Sequence, residues 1–156
     1  MVRKIYLLRH GEALPPQAGS KDFERSLSSK GVAQIKELAK SLDPHVFDPT
    51  LVYCSPSIRT KMTLQHLTET MNVDWEVEFR DEVYEASVKT LFDMICDTDH
   101  SIYQLLLIGH NPGISYLAEY LAGESISGLE PGQLIKLDYG LGDWKNISQD
   151  TCSIFQ

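Results

Sequence analysis

The stretch IYLLRHGEALP, residues 5–15, decides the reading of this chain. Ile5, Tyr6, Leu7 and Leu8 form an apolar run without helical spacing, which reads as a buried strand over residues 2–8. The run stops at Arg9-His10-Gly11-Glu12. A strand that ends in a cation beside an imidazole, with a glycine behind them, is either an ordinary polar exit from a sheet or one wall of a phosphate site. The rest of the chain chooses between them.

Downstream, residues 13–27 are polar and irregular, with Pro15-Pro16 and Gly19, and read as a long loop. SSKGVAQIKELAKSLDP then places Val32, Ile35, Leu38, Ala39 and Leu42 on one helical face, ended by Asp43-Pro44. TLVYCSP (50–56) predicts a second strand running into a helix near 56–71, with Ser55 as N-cap and Pro56 at the first helical position. WEVEF (75–79) alternates as a third strand. Ser87 caps a helix whose Val88, Leu91, Phe92 and Ile95 fall at i, i+3, i+4 and i+7. QLLLIGH (104–110) is the most apolar run, expected to be a central strand buried on both faces. Asn111-Pro112 opens a helix with Ile114, Leu117, Ala118 and Leu121 on one face and Gly123 as its stop. QLIKLDYGLGDWKNI predicts two strands joined by a glycine-rich turn.

Strand and helix alternate four times with no repeat, low-complexity tract or linker. That predicts one α/β domain over residues 1–156, a three-layer arrangement with helices on both faces of a mostly parallel sheet. Such sheets bind ligands at the carboxyl ends of their strands. Arg9-His10-Gly11, Cys54-Ser55 with Arg59 one turn later, and Gly109-His110-Asn111-Pro112-Gly113 then share one sheet edge. Two histidines and two arginines converge on one crevice. Arginine offers a planar fork matched to phosphate oxygens, and two of them hold a dianion and stabilise a transferring phosphoryl group. A histidine attacks phosphorus only when its imidazole is neutral, which neighbouring cations favour.

The totals narrow the function. A net charge of −8 argues against sequence-independent nucleic-acid binding, which needs basic patches. No apolar run approaches the roughly 20 residues of a membrane helix, and the N-terminus shows no cleavable signal, so a cytoplasmic protein that does not engage a membrane is expected. Cys54, Cys96 and Cys152 are odd in number and widely spaced, which suits reduced thiols rather than disulfides.

LLRHGEA, SPSIRT and LLIGHNPGISYLAEYLAG together resemble the histidine phosphatase superfamily, the phosphoglycerate mutase-like fold, and most of all its small SixA-type phosphohistidine phosphatase branch. ERSLSSKG (24–31) is similar to that branch's Arg-Pro-Leu-Thr element, with Ser26 where proline is usual. The resemblance spans roughly residues 3–123. It implies that His10 is the nucleophile that becomes phosphorylated, that Arg9 and Arg59 clamp the phosphoryl group with Arg25 as a further contact, and that His110 completes the pocket. It implies neither metal nor cofactor. For the proton donor, RDEVYEAS (80–87) offers Glu82 and Glu85; VYEAS resembles the SixA-like pattern, and Glu85 is the choice. The short interval between Arg59 and His110 lacks the larger insertion usual in sugar-phosphate enzymes of the superfamily. An open site of that kind suits a phosphorylated side chain on another protein and fits a mutase badly, because a mutase must shield its intermediate from water.

The other chemistry-bearing residues have plainer readings. His45, His66 and His100 fall outside the crevice, and Glu12 reads as a surface carboxylate. Cys54 and Arg59 are one residue short of the Cys-x₅-Arg spacing of a cysteine phosphatase, so Cys54 is packing. Zinc on His10, Glu12, His110 and Asp22 is disfavoured by two adjacent arginines and the absence of ligand spacing. The sequence-level expectation is a metal-independent phosphatase acting through His10 on phosphohistidine in a protein. Its alternatives are a small-molecule phosphomonoesterase on the same site and a non-catalytic phosphate-binding module. Oligomeric state and partner are not legible.

Overall fold

The computed structural model describes residues 1–156. Ten elements follow in chain order: β1 (Arg3–Arg9), α1 (Ser29–Ser41), β2 (Leu51–Cys54), α2 (Ile58–Met71), β3 (Val77–Phe79), α3 (Val88–Cys96), β4 (Gln104–Gly109), α4 (Gly113–Ala122), β5 (Leu134–Tyr139) and β6 (Cys152–Phe155). Short 3₁₀ turns lie at Asp22–Glu24, Asp81–Val83 and Trp144–Asn146. The six strands form one sheet in the order β3-β2-β4-β1-β5-β6. β1 to β4 run parallel, and β5 is antiparallel to both of its neighbours, so the α/β reading with a mostly parallel sheet holds.

Period-two alternation explains the two cores. Ile5 and Leu7 with Leu105 and Leu107 face one side, where α3 and α4 contribute Leu91, Ile95, Ile114, Leu117 and Leu121. Tyr6 and Leu8 with Leu106 and Ile108 face the other, against Ile35 and Ala39 of α1 and Leu64 and Leu67 of α2. Leu105 to Ile108 are each fully buried, worth about 1.5–3 kcal/mol apiece, which is why β4 reads as an unbroken apolar run. No helix is long and apolar enough to cross a membrane.

Register fixes the functional edge. Arg9 pairs with Gly109, and Cys54 pairs with both Ile108 and Phe79, so four parallel strands stop within one residue row. The chain leaving each strand emerges on the same side. At that edge Gly11 and Gly31 touch through their backbones: a Cβ on Gly11 would lie 2.8 Å from the Gly31 carbonyl oxygen. The exit from β1 is thereby laid directly on the first turn of α1. Ser28 caps α1 by accepting from the Gly31 N–H, and its hydroxyl donates 2.7 Å to the Glu12 carboxylate. Glu12 is therefore a tie between loop and helix.

Two sequence readings need correction. α2 begins at Ile58 with Ser57 as its N-cap residue, so neither Ser55 nor Pro56 starts the helix. The segment QLIKLDYGLGDWKNI contains one strand, not two: after β5 the chain makes the turn at Trp144–Asn146, and the sixth strand forms only at Cys152–Phe155. Trp144 is the cause. Its indole is fully buried, stacks on Tyr139 at 6.4 Å and donates 2.8 Å to the Ile102 carbonyl, which pulls residues 143–147 down as an anchor instead of letting them pair.

Candidate active site

His10 leaves β1 with its backbone still in the sheet ladder, its N–H donating 3.3 Å to the Gly109 carbonyl. Its side chain is 8% exposed. Nδ1 lies 2.6 Å from the Gly11 carbonyl oxygen. A carbonyl only accepts, so Nδ1 carries the ring proton and Nε2 keeps its lone pair. The Gly11 N–H in turn donates 3.2 Å to Thr63 Oγ1 of α2. Burial lowers the imidazole's pKa to about 4, and the cations Arg59, Arg9 and Arg25 add to the shift, against the raising effect of the Gly11 hydrogen bond. Sequence reasoning credited the arginines alone; burial is the larger cause.

His110 leaves β4 beside it, with ring centroids 5.2 Å apart and planes tilted 57°. Its pKa falls to about 3, first through burial and then through His10 and Arg59, while Asp22 opposes the shift. Nε2 is 2.8 Å from Ser55 Oγ, a hydroxyl that also receives the Ser57 N–H at 3.4 Å. The arrangement that leaves the fewest groups unpaired has Ser55 donating to Nε2, which puts the proton of His110 on Nδ1. That Nδ1 and the Nε of Arg9 are both buried without a partner in the protein. Orphaned donors of this kind cost about 1–3 kcal/mol each. Arg9 Nη1 is held 2.9 Å from the Leu129 carbonyl.

Arg59 sits in the first turn of α2, 6% exposed. A cation there opposes the helix dipole and needs an anion, and Asp22 supplies one. Arg59 Nη1 donates 2.8 Å to the Asp22 main-chain oxygen and Nη2 donates 3.0 Å to its carboxylate. Arg25 Nη1 adds a bond of 2.9 Å and the Tyr84 hydroxyl one of 2.6 Å to the same carboxylate. The Tyr84 hydroxyl, then Arg25 and Arg59, hold Asp22 well below the usual carboxylate range. Tyr84 also packs edge-on against His110, with centroids 5.5 Å apart. Its segment, residues 80–87, is pressed onto α4: at Gly113 any side chain would run into the Ala86 carbonyl oxygen.

The structure thus brings Arg9, His10, Arg25, Arg59 and His110 to one edge. Glu82 turns away and pairs with Arg80 at 2.7 Å. Glu85 is exposed with a left-handed backbone at φ 55°, and its charge acts on the Tyr84 phenol. Sequence reasoning weighed Asp22 only as a zinc ligand and missed Tyr84 and Thr63. Their signal was positional: Thr63 lies one helical turn after Arg59. No group of three or more His, Cys, Asp and Glu is placed to hold a metal ion. Cys54 is fully buried, and burial pushes its thiol to about 12, so it is packing. The crevice is separate from a cavity of about 620 Å³ at the opposite sheet edge, lined by Glu124, Asp138 and Asp150.

Both histidines are expected to be neutral throughout pH 5–8. An NMR titration of the His10 ring should show its midpoint near 4, and no inflection near the ordinary 6.5. The folded state then binds fewer protons than the unfolded chain between those values, so stability should fall as pH drops from about 6.5 toward 4.

The family description that matches this chain is the histidine phosphatase superfamily (branch 1), over residues 5–94. The phosphohistidine phosphatase SixA of Escherichia coli K12 is 26% identical over 125 residues, 78% of this chain and 76% of that protein. A structure from Agrobacterium tumefaciens, assigned as a phosphohistidine phosphatase SixA, superposes with a TM-score of 0.82 at 28% identity, covering 88% of this chain and 92% of that one. A SixA structure complexed with tungstate also superposes with a TM-score of 0.82, at 20% identity over 98% of this chain and 94% of the other, a likeness of fold.

Proposed function

We propose, since the chain belongs to the histidine phosphatase superfamily and is a phosphatase, that it removes the phosphoryl group from phosphohistidine on a protein through a phosphohistidine formed on its own His10. The observation that carries this reading is the buried, neutral His10, whose Nδ1–H is tied to the Gly11 carbonyl so that Nε2 is left as nucleophile. In the first step the Nε2 lone pair attacks phosphorus, the substrate's P–N bond breaks, and the departing imidazole nitrogen takes a proton. In the second, water attacks the phosphohistidine, releasing inorganic phosphate and restoring His10. Atoms balance with water as the only co-substrate.

Arg9 and Arg59 clamp the phosphoryl oxygens, with Arg25 as a further contact, and His110 donates to a non-bridging oxygen. Glu85, on the segment that carries Tyr84, gives the leaving group its proton. No metal is required, since the arginines supply the positive charge. The SixA-like relatives support a phosphohistidine substrate. Exchanging one P–N bond for another also needs little thermodynamic drive. A phosphomonoesterase role on the same site is the second reading; it depends more heavily on Glu85, because an alcohol leaves poorly without an acid.

The test is phosphate release from a protein phosphorylated on histidine with phosphoramidate, beside a panel of phosphomonoesters and with His10→Ala as the blank. Release from the phosphohistidine protein at least about tenfold faster, in kcat/KM, than from any ester is expected. Faster release from a small ester would move the role into metabolism. Bound phosphate with no covalent label and no turnover would leave only a binding module.

A further inference from the structure

We propose that Asp22 is a specificity-determining residue: its carboxylate occupies the outer faces of Arg25 and Arg59 and turns away substrates whose leaving group carries its own negative charge. The inference rests on the reading of Arg59 as a phosphoryl clamp. It concerns what lies on the far side of the phosphorus from His10.

The direction of departure follows from burial. His10 lies beneath the crevice at 8% exposure, so a leaving group expelled in line with its attack goes toward solvent. Asp22 is on that outward side: its side chain is 47% exposed, yet it is bonded to Arg59, which is almost wholly buried, and to Tyr84, which leans on His110. A second anionic group on the substrate would have to meet this carboxylate.

Charge balance makes the same point. Arg9, Arg25 and Arg59 bring three positive charges to a crevice whose two histidines are neutral. Asp22, the carboxylate bonded directly to two of them, cancels one and leaves two for a phosphoryl dianion. Its carboxylate already takes one N–H from Nη2 of Arg59 and one from Nη1 of Arg25, so a carboxylate or second phosphate on the leaving group would have to displace it to reach that side of either guanidinium. The hydrogen bonds that hold Asp22 keep it ionised at any physiological pH, so the repulsion is permanent. An imidazole, neutral or cationic, meets no such penalty. Beside it stands an aromatic pair, Phe23 edge-on to Tyr84 at 5.2 Å, against which a flat ring can lie.

Glycerol 3-phosphate and 3-phosphoglycerate test this directly, since they present the same phosphoryl ester and differ by a hydroxymethyl group against a carboxylate. Affinities are measured by titration calorimetry in a His10→Ala background, where neither ester is consumed. Asp22→Asn keeps an acceptor for Tyr84 and the arginines while removing the charge. It should raise affinity for 3-phosphoglycerate on the order of fivefold more than for glycerol 3-phosphate at low ionic strength. Asp22→Glu, which keeps the charge, should leave the ratio as it is with Asp22. An unchanged ratio in Asp22→Asn would overturn the proposal, as would an equal gain in Asp22→Glu. If neither ester binds any of the three proteins, the clamp reading itself fails, a result distinct from binding without discrimination.

Discussion

Replacing His10 with alanine is expected to reduce turnover by about 10⁴-fold or more, the scale on which loss of a nucleophile is felt. The reason is geometric. Nε2 of His10 is the one imidazole lone pair in the crevice that is both neutral and unengaged, because Nε2 of His110 is taken by Ser55. His110 therefore cannot replace it without giving up that bond. The variant should still fold and bind phosphate, since Arg9, Arg59 and His110 are held by the Leu129 carbonyl, Asp22 and Ser55 and not by His10. Rapid quenching with radiolabelled substrate reads the difference. Wild type should carry an acid-labile, alkali-stable label, and His10→Ala none. A labelled His10→Ala protein, or one with appreciable turnover, would place the nucleophile elsewhere.

Arg59→Ala should cost about 10²–10³-fold in kcat/KM, and Arg59→Lys should recover only part of it, because an ammonium cannot present two parallel donors. Stability should behave differently. Arg59 opposes the dipole of α2, and its pair with a half-exposed Asp22 is worth little, so thermal denaturation should shift by less than about 1 kcal/mol in either direction. Large loss of activity with an almost unmoved melting transition is the mark of a residue kept for its ligand. A fall in both together would instead make Arg59 a structural tie between α2 and the loop that carries Asp22.

The parts of this molecule legible in its sequence are those written in local periodicity. β4 announces itself through an apolar run that only burial on both faces explains, and β1 through the abrupt change at Arg9. Once parallel strands are inferred, their carboxyl ends coincide, and His10, Arg59 and His110 follow from topology alone. What was not legible depends on contacts distant in sequence. Asp22 lies in a polar loop whose local pattern is featureless; it matters because Arg59, Arg25 and Tyr84 reach it from elsewhere. Ser55 was misread because serine before proline is a good helix start, whereas the position is fully buried under His110. β6 was misplaced because the weight of Trp144 lies in what it stacks on and donates to, and a window of neighbouring residues carries no trace of that.

The segment joining β3 to α3 has a further consequence, for how such a protein diversifies. Residues 80–87 are fastened at one end by the Cys54 carbonyl, which accepts the Arg80 N–H, and near the other by Ala86 against Gly113. Between those two rivets Val83 of the 3₁₀ turn is buried in the core and its neighbours lie at the surface, and lengthening the chain beside it costs only about 0.6 kcal/mol for each doubling. A longer graft there would roof the crevice while the sheet and both histidines stayed in place. The fold thus leaves the stretch around Tyr84 and Glu85 open to rewriting, while the elements that carry His10, Arg59 and His110 stay as they are.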